Sequence, residues 1–523
     1  IIHQMFNRKY IRKIAAISKH NIINLKIYII RISRGTVILP ICDDIANFLN
    51  IDGNVLLLIK GAPGVGKTIL SLEVLGWMKH FKGIYFATRD NIDALAAQYP
   101  WVKSYLEKNQ LFDVQKSIEF EPQEVPAKSA LDITTLPKFL KSLYFILLKM
   151  KEQAGDKIPF IIIDSLEPLS MYLDLPKTLI ATQIKKILIE KKAKGILISE
   201  CSKLSEIDFI SDGVIVLEQS TVHNRLIRYA TIQKLRGISI KKPRYIFSLY
   251  NGRFQCFRDY VPPYMQVDLS KVLSKPKVNK RYSNEKSDKE EKTVLHPYQT
   301  IKIGNTHFDG ITDGIVSGSC VLFSYSPKIQ NYLEGAILLD FMNYFLKKSK
   351  FMLYMIDKSF KVSKVTNLFK FTIGENVVER QIKFLSLFDR TESIFKNSRK
   401  ITLNAFRKYL LNIIEKKITE YDGMLIILDW THLVSYFGLS ENLIKLLTEI
   451  KSLISRGHSL VIFKAYYDKE TIRQLETIID YHFRFIYLGK QHFLYSIKPW
   501  SHLFHIDLDV DDSRIVSKLT PIV

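Results

Sequence analysis

The stretch "GAPGVGKT", Gly61 to Thr68, limits the fold of this chain more than any other. It matches G-x-x-x-x-G-K-[ST] and lies between the apolar run "VLLLI" and a helix-like stretch opening "KTILSLEVLGWM". Such a loop wraps phosphate in backbone N–H groups, so glycine is needed wherever a side chain would block the wrap, and the lysine brings a point charge. The following helix adds the positive end of its dipole. Gly61, Ala62, Pro63, Gly64, Val65, Gly66, Lys67 and Thr68 are therefore the candidate nucleotide-binding residues, with ATP the expected ligand. The Thr68 hydroxyl is a candidate ligand for Mg2+, and "FIIIDS" supplies a carboxylate, Asp164, at the end of a second strand.

From Ile51 onward, short β-rich runs alternate with longer amphipathic stretches, which is the pattern of an α/β fold around a mostly parallel sheet. "VLLLI", "IYFA", "FIII", "ILIS" and "GVIVL" carry almost no polar residue, as strands buried on both faces require. Two antiparallel strands are expected in "RYATIQKL" and "YIFSLYNGRF", the latter with a turn at Asn251 and Gly252. A charged, proline-bracketed segment then reads as a linker. Beyond it the rhythm restarts in "VLFS", "FMLYMI", "LIIL" and "LVIF", which suggests an internal duplication. The expected division is a basic arm at 1–36, a nucleotide-binding domain at 37–270, a linker at 271–300 and a second domain at 301–523.

Composition narrows the partners. A chain of 523 residues suggests two to four domains at ~150 residues each. The net charge of +24, from 76 Lys and Arg against 52 Asp and Glu, favours a polyanion such as nucleic acid, or solubility under harsh conditions. Part of that excess lies in residues 1–36, which carry eight Lys or Arg and no acid and read as an arm or as sequence upstream of the natural start. Apolar runs stop at charges well short of the ~20 residues a spanning helix needs, so no membrane partner and a cytoplasmic location are expected. Cys42, Cys201, Cys256 and Cys320 lie far apart with no metal-ligand spacing, and read as buried, reduced thiols.

"GAPGVGKT", "FIIIDSLEPL", "FISDGVIVLEQ" and "IQKLRG", in this order, resemble the KaiC branch of RecA-type ATPases, and "ILPICDDIANF", "IYFATRD" and "AAQYPWV" resemble its gas-vesicle regulator subfamily, GvpD. The resemblance covers residues 37 to about 260. It implies RecA-like P-loop domains and a homo-oligomeric ring, a hexamer being one size open to it. It also implies that Lys234 and Arg236 reach the γ-phosphate bound by the neighbouring subunit. Residues i and i+2 of a strand point the same way and can converge on one anion; the plainer reading is an exposed, charged strand end.

One departure bears on catalysis. The family's two adjacent glutamates, which activate the attacking water, correspond here to Arg89 and Asp90. Asp90 is the candidate base, or simply starts the next turn, and hydrolysis is expected to be slow or absent. In the second half the place of the P-loop is taken by "SYSPKIQN", where Ser324, Pro327 and Ile329 replace the glycines and Gln330 replaces the lysine. Asp429 keeps an acid at the strand end, but no K-x-R-G follows. The second domain is thus expected to be a degenerate copy that binds no nucleotide, its aromatic strands forming core. The leading functional expectation is a weak, Mg2+-dependent regulatory ATPase whose nucleotide state controls assembly or a protein partner. The alternative is a RecA-type recombinase paralogue binding DNA directly, although no stand-alone DNA-binding motif is found.

Overall fold

The structure is a computed structural model that describes residues 38–39, 41–78, 80–88, 92–106, 111–113, 136–153, 155, 157–259, 300–329, 331–356, 361–388, 401–455, 457–511 and 514–523. The basic segment 1–36, nearly all of the expected linker, and Arg89, Asp90 and Gln330 lie outside the described residues. No described helix is long and apolar enough to cross a membrane.

The first sheet contains β1 (Ile38–Leu39), β2 (Leu56–Lys60), β3 (Phe81–Ala87), β4 (Leu111–Asp113), β5 (Ile158–Asp164), β6 (Lys194–Ser199), β7 (Gly213–Val222), β8 (Arg225–Leu235), β9 (Arg244–Ser248) and β10 (Gln255–Phe257). Their order is β1-β10-β9-β8-β7-β2-β6-β5-β3-β4, parallel from β7 to β4 and antiparallel from β7 out to β1. The helices that matter for the site are α1 (Asp43–Leu49), α2 (Lys67–Trp77), α3 (Lys138–Gln153), α4 (Leu166–Leu173), α5 (Lys177–Lys191) and α6 (Glu206–Ile210).

Strand β2 shows why the parallel runs are so apolar. Leu57 and Ile59 pack with Ile45, Phe48, Ile69 and Leu72 of α1 and α2. Leu56 and Leu58 face the other way, into Leu140, Leu143, Ile184 and Ile187 of α3 and α5. Each such side chain contributes roughly 2 kcal/mol by leaving water, and a polar residue on either face would forfeit it. The buried centre also fixes register, since a slip of one residue would exchange the two faces.

After a two-stranded antiparallel pair of β11 (Thr300–Ile301) and β12 (Ile315–Val316), joined through a short helix, the second sheet is built from β13 (Cys320–Tyr325), β14 (Phe351–Met355), β15 (Ile382–Leu385), β16 (Met424–Asp429), β17 (Leu460–Tyr466), β18 (Tyr481–Leu488), β19 (Gln491–Lys498), β20 (Phe504–Asp511) and β21 (Arg514–Pro521). It runs β15-β14-β16-β17-β13-β18-β19-β20-β21, the same connectivity as β4-β3-β5-β6-β2-β7-β8-β9-β10. Its aromatic strands form core: Phe323, Phe483 and Phe485 cluster with Phe308 and Phe341.

The two halves meet through their antiparallel strands. Ile227, Ile246 and Phe257 share one cluster with Ile486, Phe493, Tyr495, Leu503 and Ile522. The β7–β8 hairpin turns at His223 and Asn224, both at positive φ (49° and 59°), as a tight two-residue turn demands. Just past the turn, Arg225 is buried against the second half. Its guanidinium donates to the carbonyls of Ser501 (3.2 Å) and Ser496 (2.9 Å) and lies 4.2 Å from the Tyr495 ring centre. His505 stacks on Phe257 with 4.0 Å between ring centres.

Burial, with His492 and Lys242 nearby, pushes His505 down to about 3, and burial pushes His492 down to about 4. Between those values and the ordinary ~6.5, an unfolded chain takes up protons that the folded one refuses, so stability rises with pH across this window. Acidification from pH 7 to 5 is expected to cost about 1–2 kcal/mol per buried histidine. Urea unfolding at both pH values would measure it, and His505→Phe should flatten the dependence while keeping the ring stack.

Candidate functional site

The loop between β2 and α2 has the backbone its glycines allow. Gly64 and Gly66 adopt φ of 77° and 100°, and Gly61 has φ of 153°. A Cβ at Gly61 would stand 2.3 Å from the Leu217 carbonyl oxygen of β7, and one at Gly66 would stand 2.8 Å from the Leu249 side chain. Neither position can accept alanine without displacing its neighbour. The loop curls round Lys67, which begins α2 and is 7% exposed. Its ammonium donates to the carbonyls of Gly61 and Ala62, each at 2.8 Å.

Two strands away, β5 ends in Asp164. Its Oδ2 accepts from the Thr68 hydroxyl and from the Tyr85 hydroxyl, both at 2.6 Å. The backbone N–H of Thr88 donates to the Asp164 carbonyl at 2.8 Å, and the Thr88 hydroxyl donates to the Ser165 carbonyl at 2.9 Å. The end of β3 is thereby clamped to the end of β5 beside Thr68. The donor set fits a hard divalent cation, because a hydroxyl and a carboxylate oxygen converge with no soft ligand between them. Thr68 and Asp164 would hold Mg2+, and the nest at Gly61–Lys67 would hold phosphates.

Glu200 also lines this cleft, with Lys67, Thr68, Tyr85 and Asp164. It follows β6, the neighbour of β2, and its backbone N–H is held by the carboxylate of Glu167 on α4. Burial pushes Glu167 up, but hydrogen bonds from Ser199, from the backbone N–H groups of Glu200 and Glu167, and from Lys177 outweigh it and hold the group below its ordinary value. Sequence reasoning missed Glu200 and Tyr85. Their signal was that each lies at or near the carboxyl end of a buried parallel strand, the edge at which such sheets place their sites.

Lys234 and Arg236 lie elsewhere. The Arg236 backbone N–H donates to the Asp212 carbonyl, and the Asp212 N–H donates to Leu56, so Arg236 is level with the start of β2. Gly61 is five residues further along, ~16 Å at the rise of a strand. Within one chain Arg236 is therefore level with the opposite end of β2 from the P-loop, whereas Lys234, which faces Val214 and through it Leu58, is level with a point three residues before Gly61, ~10 Å at the same rise. The Lys234 ammonium donates to the Asp208 carbonyl of α6, and burial, with Arg236 nearby, holds Lys234 below its ordinary value. Arg236 is 58% exposed and lies 3.5 Å from the Asp212 carboxylate, which also binds Lys185 at 2.8 Å. Asp90 lies outside the described residues.

At the corresponding place in the second half, β13 continues through Ser324 and Tyr325. Ser324 is buried, with its Oγ 2.8 Å from His482 Nε2. Ile329 fills the core beneath. No glycine stands in the sequence Ser324–Ile329 of this turn to open a phosphate nest as Gly61, Gly64 and Gly66 do in the first half. Asp429 instead caps its own helix, accepting from the His432 N–H at 2.9 Å.

Residues 45–236 match the family described as GvpD gas vesicle protein, P-loop domain. Protein GvpD1 of Halobacterium salinarum is 26% identical over 234 residues, 42% of this chain and 41% of that protein. Protein GvpD2 of the same organism is 24% identical over 229 residues, 42% of this chain and 43% of its own length. A UPF0273 protein of Pyrococcus horikoshii is 26% identical over 225 residues, 39% of this chain and 86% of that protein. The likeness to the GvpD P-loop family, read first from short motifs, thus holds over the nucleotide-site half, and the matched region spans about two fifths of the GvpD relatives.

Lys67→Ala is expected to abolish ATP binding, because the remaining N–H groups cannot balance the phosphate charge. Equilibrium binding of a fluorescent ATP analogue would show it. Wild type should saturate at one nucleotide per chain.

Proposed function

From the likeness of residues 45–236 to the GvpD P-loop domain, we propose that the chain is a regulatory ATPase that binds Mg2+-ATP in its first half and completes each site with cations from a second copy. The observation that carries this reading is the separation of Arg236 from its own P-loop, ~16 Å along the sheet, with Lys234 on the same strand turned to the Asp208 carbonyl of α6. An arginine side chain cannot bridge that span. Head-to-tail association would bring the exposed Arg236 of one copy to the cleft of the next, a heterologous contact that closes into a ring if the rotation permits. Leu204 (75% exposed) and Phe209 (68%) flank Asp208 beside Lys234, and apolar side chains at this position suit burial against a neighbour.

Each residue then has a distinct task. Lys67 and the loop N–H groups hold phosphate oxygens. Thr68 and Asp164 hold Mg2+, which neutralises phosphate charge when bound. Glu200 stands on the cleft wall, where a carboxylate can accept the proton of an attacking water, and Asp90 is a second carboxylate to be weighed against it. We take the second half to be a degenerate copy of the first, since it repeats the strand order but replaces the phosphate nest with Ser324, Pro327 and Ile329. Its grip on Arg225 and on strand β10 would couple nucleotide state to partner binding, the regulatory role carried over from the GvpD likeness.

Two tests separate these roles. Lys67→Ala and Arg236→Ala proteins should each be inactive, and a subunit-exchanged mixture should regain part of the wild-type turnover, since an arginine acting in trans can contribute ~10³ in rate. A mixture no better than the sum of its parts would confine the pair to its own subunit. Glu200→Gln should lower single-turnover hydrolysis by roughly 10²-fold or more with ATP affinity little changed.

A further inference from the structure

Cys42 and Cys256 are 214 residues apart, yet their sulfur atoms lie 2.6 Å from each other. Strand β1 pairs with β10 so that Leu39 faces Cys256, and the chain then turns to bring Cys42, at the start of α1, back over the same position. Both side chains are buried, at 0% and 1% exposure, and each points at the other. The remaining two cysteines are remote from them: Cys201 is half-buried on the loop after β6, and Cys320 belongs to the core of the second half.

We propose that Cys42 and Cys256 are a dithiol site that closes to an intramolecular disulfide on exposure to a small-molecule disulfide. One thiolate attacks a sulfur of R–S–S–R and expels RS⁻. The partner thiolate then attacks the mixed disulfide, forms the Cys42–Cys256 bond and expels the second RS⁻. The two thiol protons end on the two RSH products, so the chain is oxidised by two electrons and the small disulfide is reduced by two. Among the described residues β1 is two residues long and pairs with β10 alone, and access would run through this sheet edge. Burial raises the Cys42 thiol above its ordinary range, so closure of the folded chain should be slow compared with that of a solvent-exposed pair.

The bond would tie the two ends of the first half together around everything that builds the nucleotide cleft. It would also secure β10 beside the seam, because Phe257, next in sequence, stacks on His505 and gives its carbonyl to Gln491. Closing so long a loop restricts the unfolded chain strongly, and a rise of roughly 5 °C or more in the unfolding midpoint is expected.

The test uses the full chain, incubated with oxidised glutathione both folded and during refolding from urea, then blocked with N-ethylmaleimide and digested. The expected result is a crosslinked peptide pair carrying Cys42 and Cys256, two fewer free thiols, and the raised midpoint, all reversed by dithiothreitol. Cys42→Ser should abolish the crosslink and the midpoint shift, whereas a Cys201→Ser, Cys320→Ser double variant should keep both. If Cys42→Ser does not fold, the wild-type peptide map and the double variant decide alone. Recovery of Cys42 and Cys256 as alkylated thiols or separate glutathione adducts in both incubations, or their pairing with Cys201 or Cys320, would overturn the proposal.

Discussion

An ammonium group buried at the end of a parallel sheet has to be surrounded by oxygen, and the nucleotide-site half of this chain is arranged around that need. Lys67 is held by the carbonyls of Gly61 and Ala62, which face it only because the loop passes through backbone conformations that glycine tolerates. The loop in turn requires a strand that ends abruptly and is pinned on both sides. Strand β2 meets this, lying between β6 and β7, and Gly61 approaches the Leu217 carbonyl too closely for any side chain. Asp164 and Glu200 reach the same cleft from β5 and β6 because parallel neighbours end at one edge.

A second buried cation shows the same logic on the other face of the sheet. Lys60, the last residue of β2, is 1% exposed and pairs with Asp208 of α6 at 2.5 Å, while also donating to the Lys203 carbonyl. Removing Asp208 would leave that charge uncompensated, a change of several kcal/mol in comparable buried pairs. The carbonyl of the same Asp208 holds Lys234. Helix α6 is thus a short bridge between the strand that carries the P-loop and the strand that carries the K-x-R-G pair.

The join between the halves depends on groups that are costly to bury alone. Arg225 is tolerated there because carbonyls of Ser496 and Ser501 and the face of Tyr495 replace its water. His505 and His492 are tolerated because they stay neutral. Arg228 adds a link from β8 to the Gly64 carbonyl at 3.4 Å and to the Val523 carbonyl, so the end of the second sheet lies against the nucleotide loop.

Much of this was legible before any coordinates. Glycine spacing, a lysine, and an acid at the end of an apolar run are local patterns, and local patterns dictate local backbone, so Gly64, Gly66, Lys67 and Thr68 line one cleft with Asp164. The buried strands were equally plain, because a run without polar residues can be satisfied only between two layers of helices. Sheet order was not local. It brought Glu200 and Tyr85 to the cleft, put Arg236 at the far end of the sheet from its own P-loop, and set Cys42 against Cys256 across 214 residues. Chain spacing carries no signal for such pairs, since each arises from which strand lies beside which, and that follows from the packing of both faces of the sheet at once.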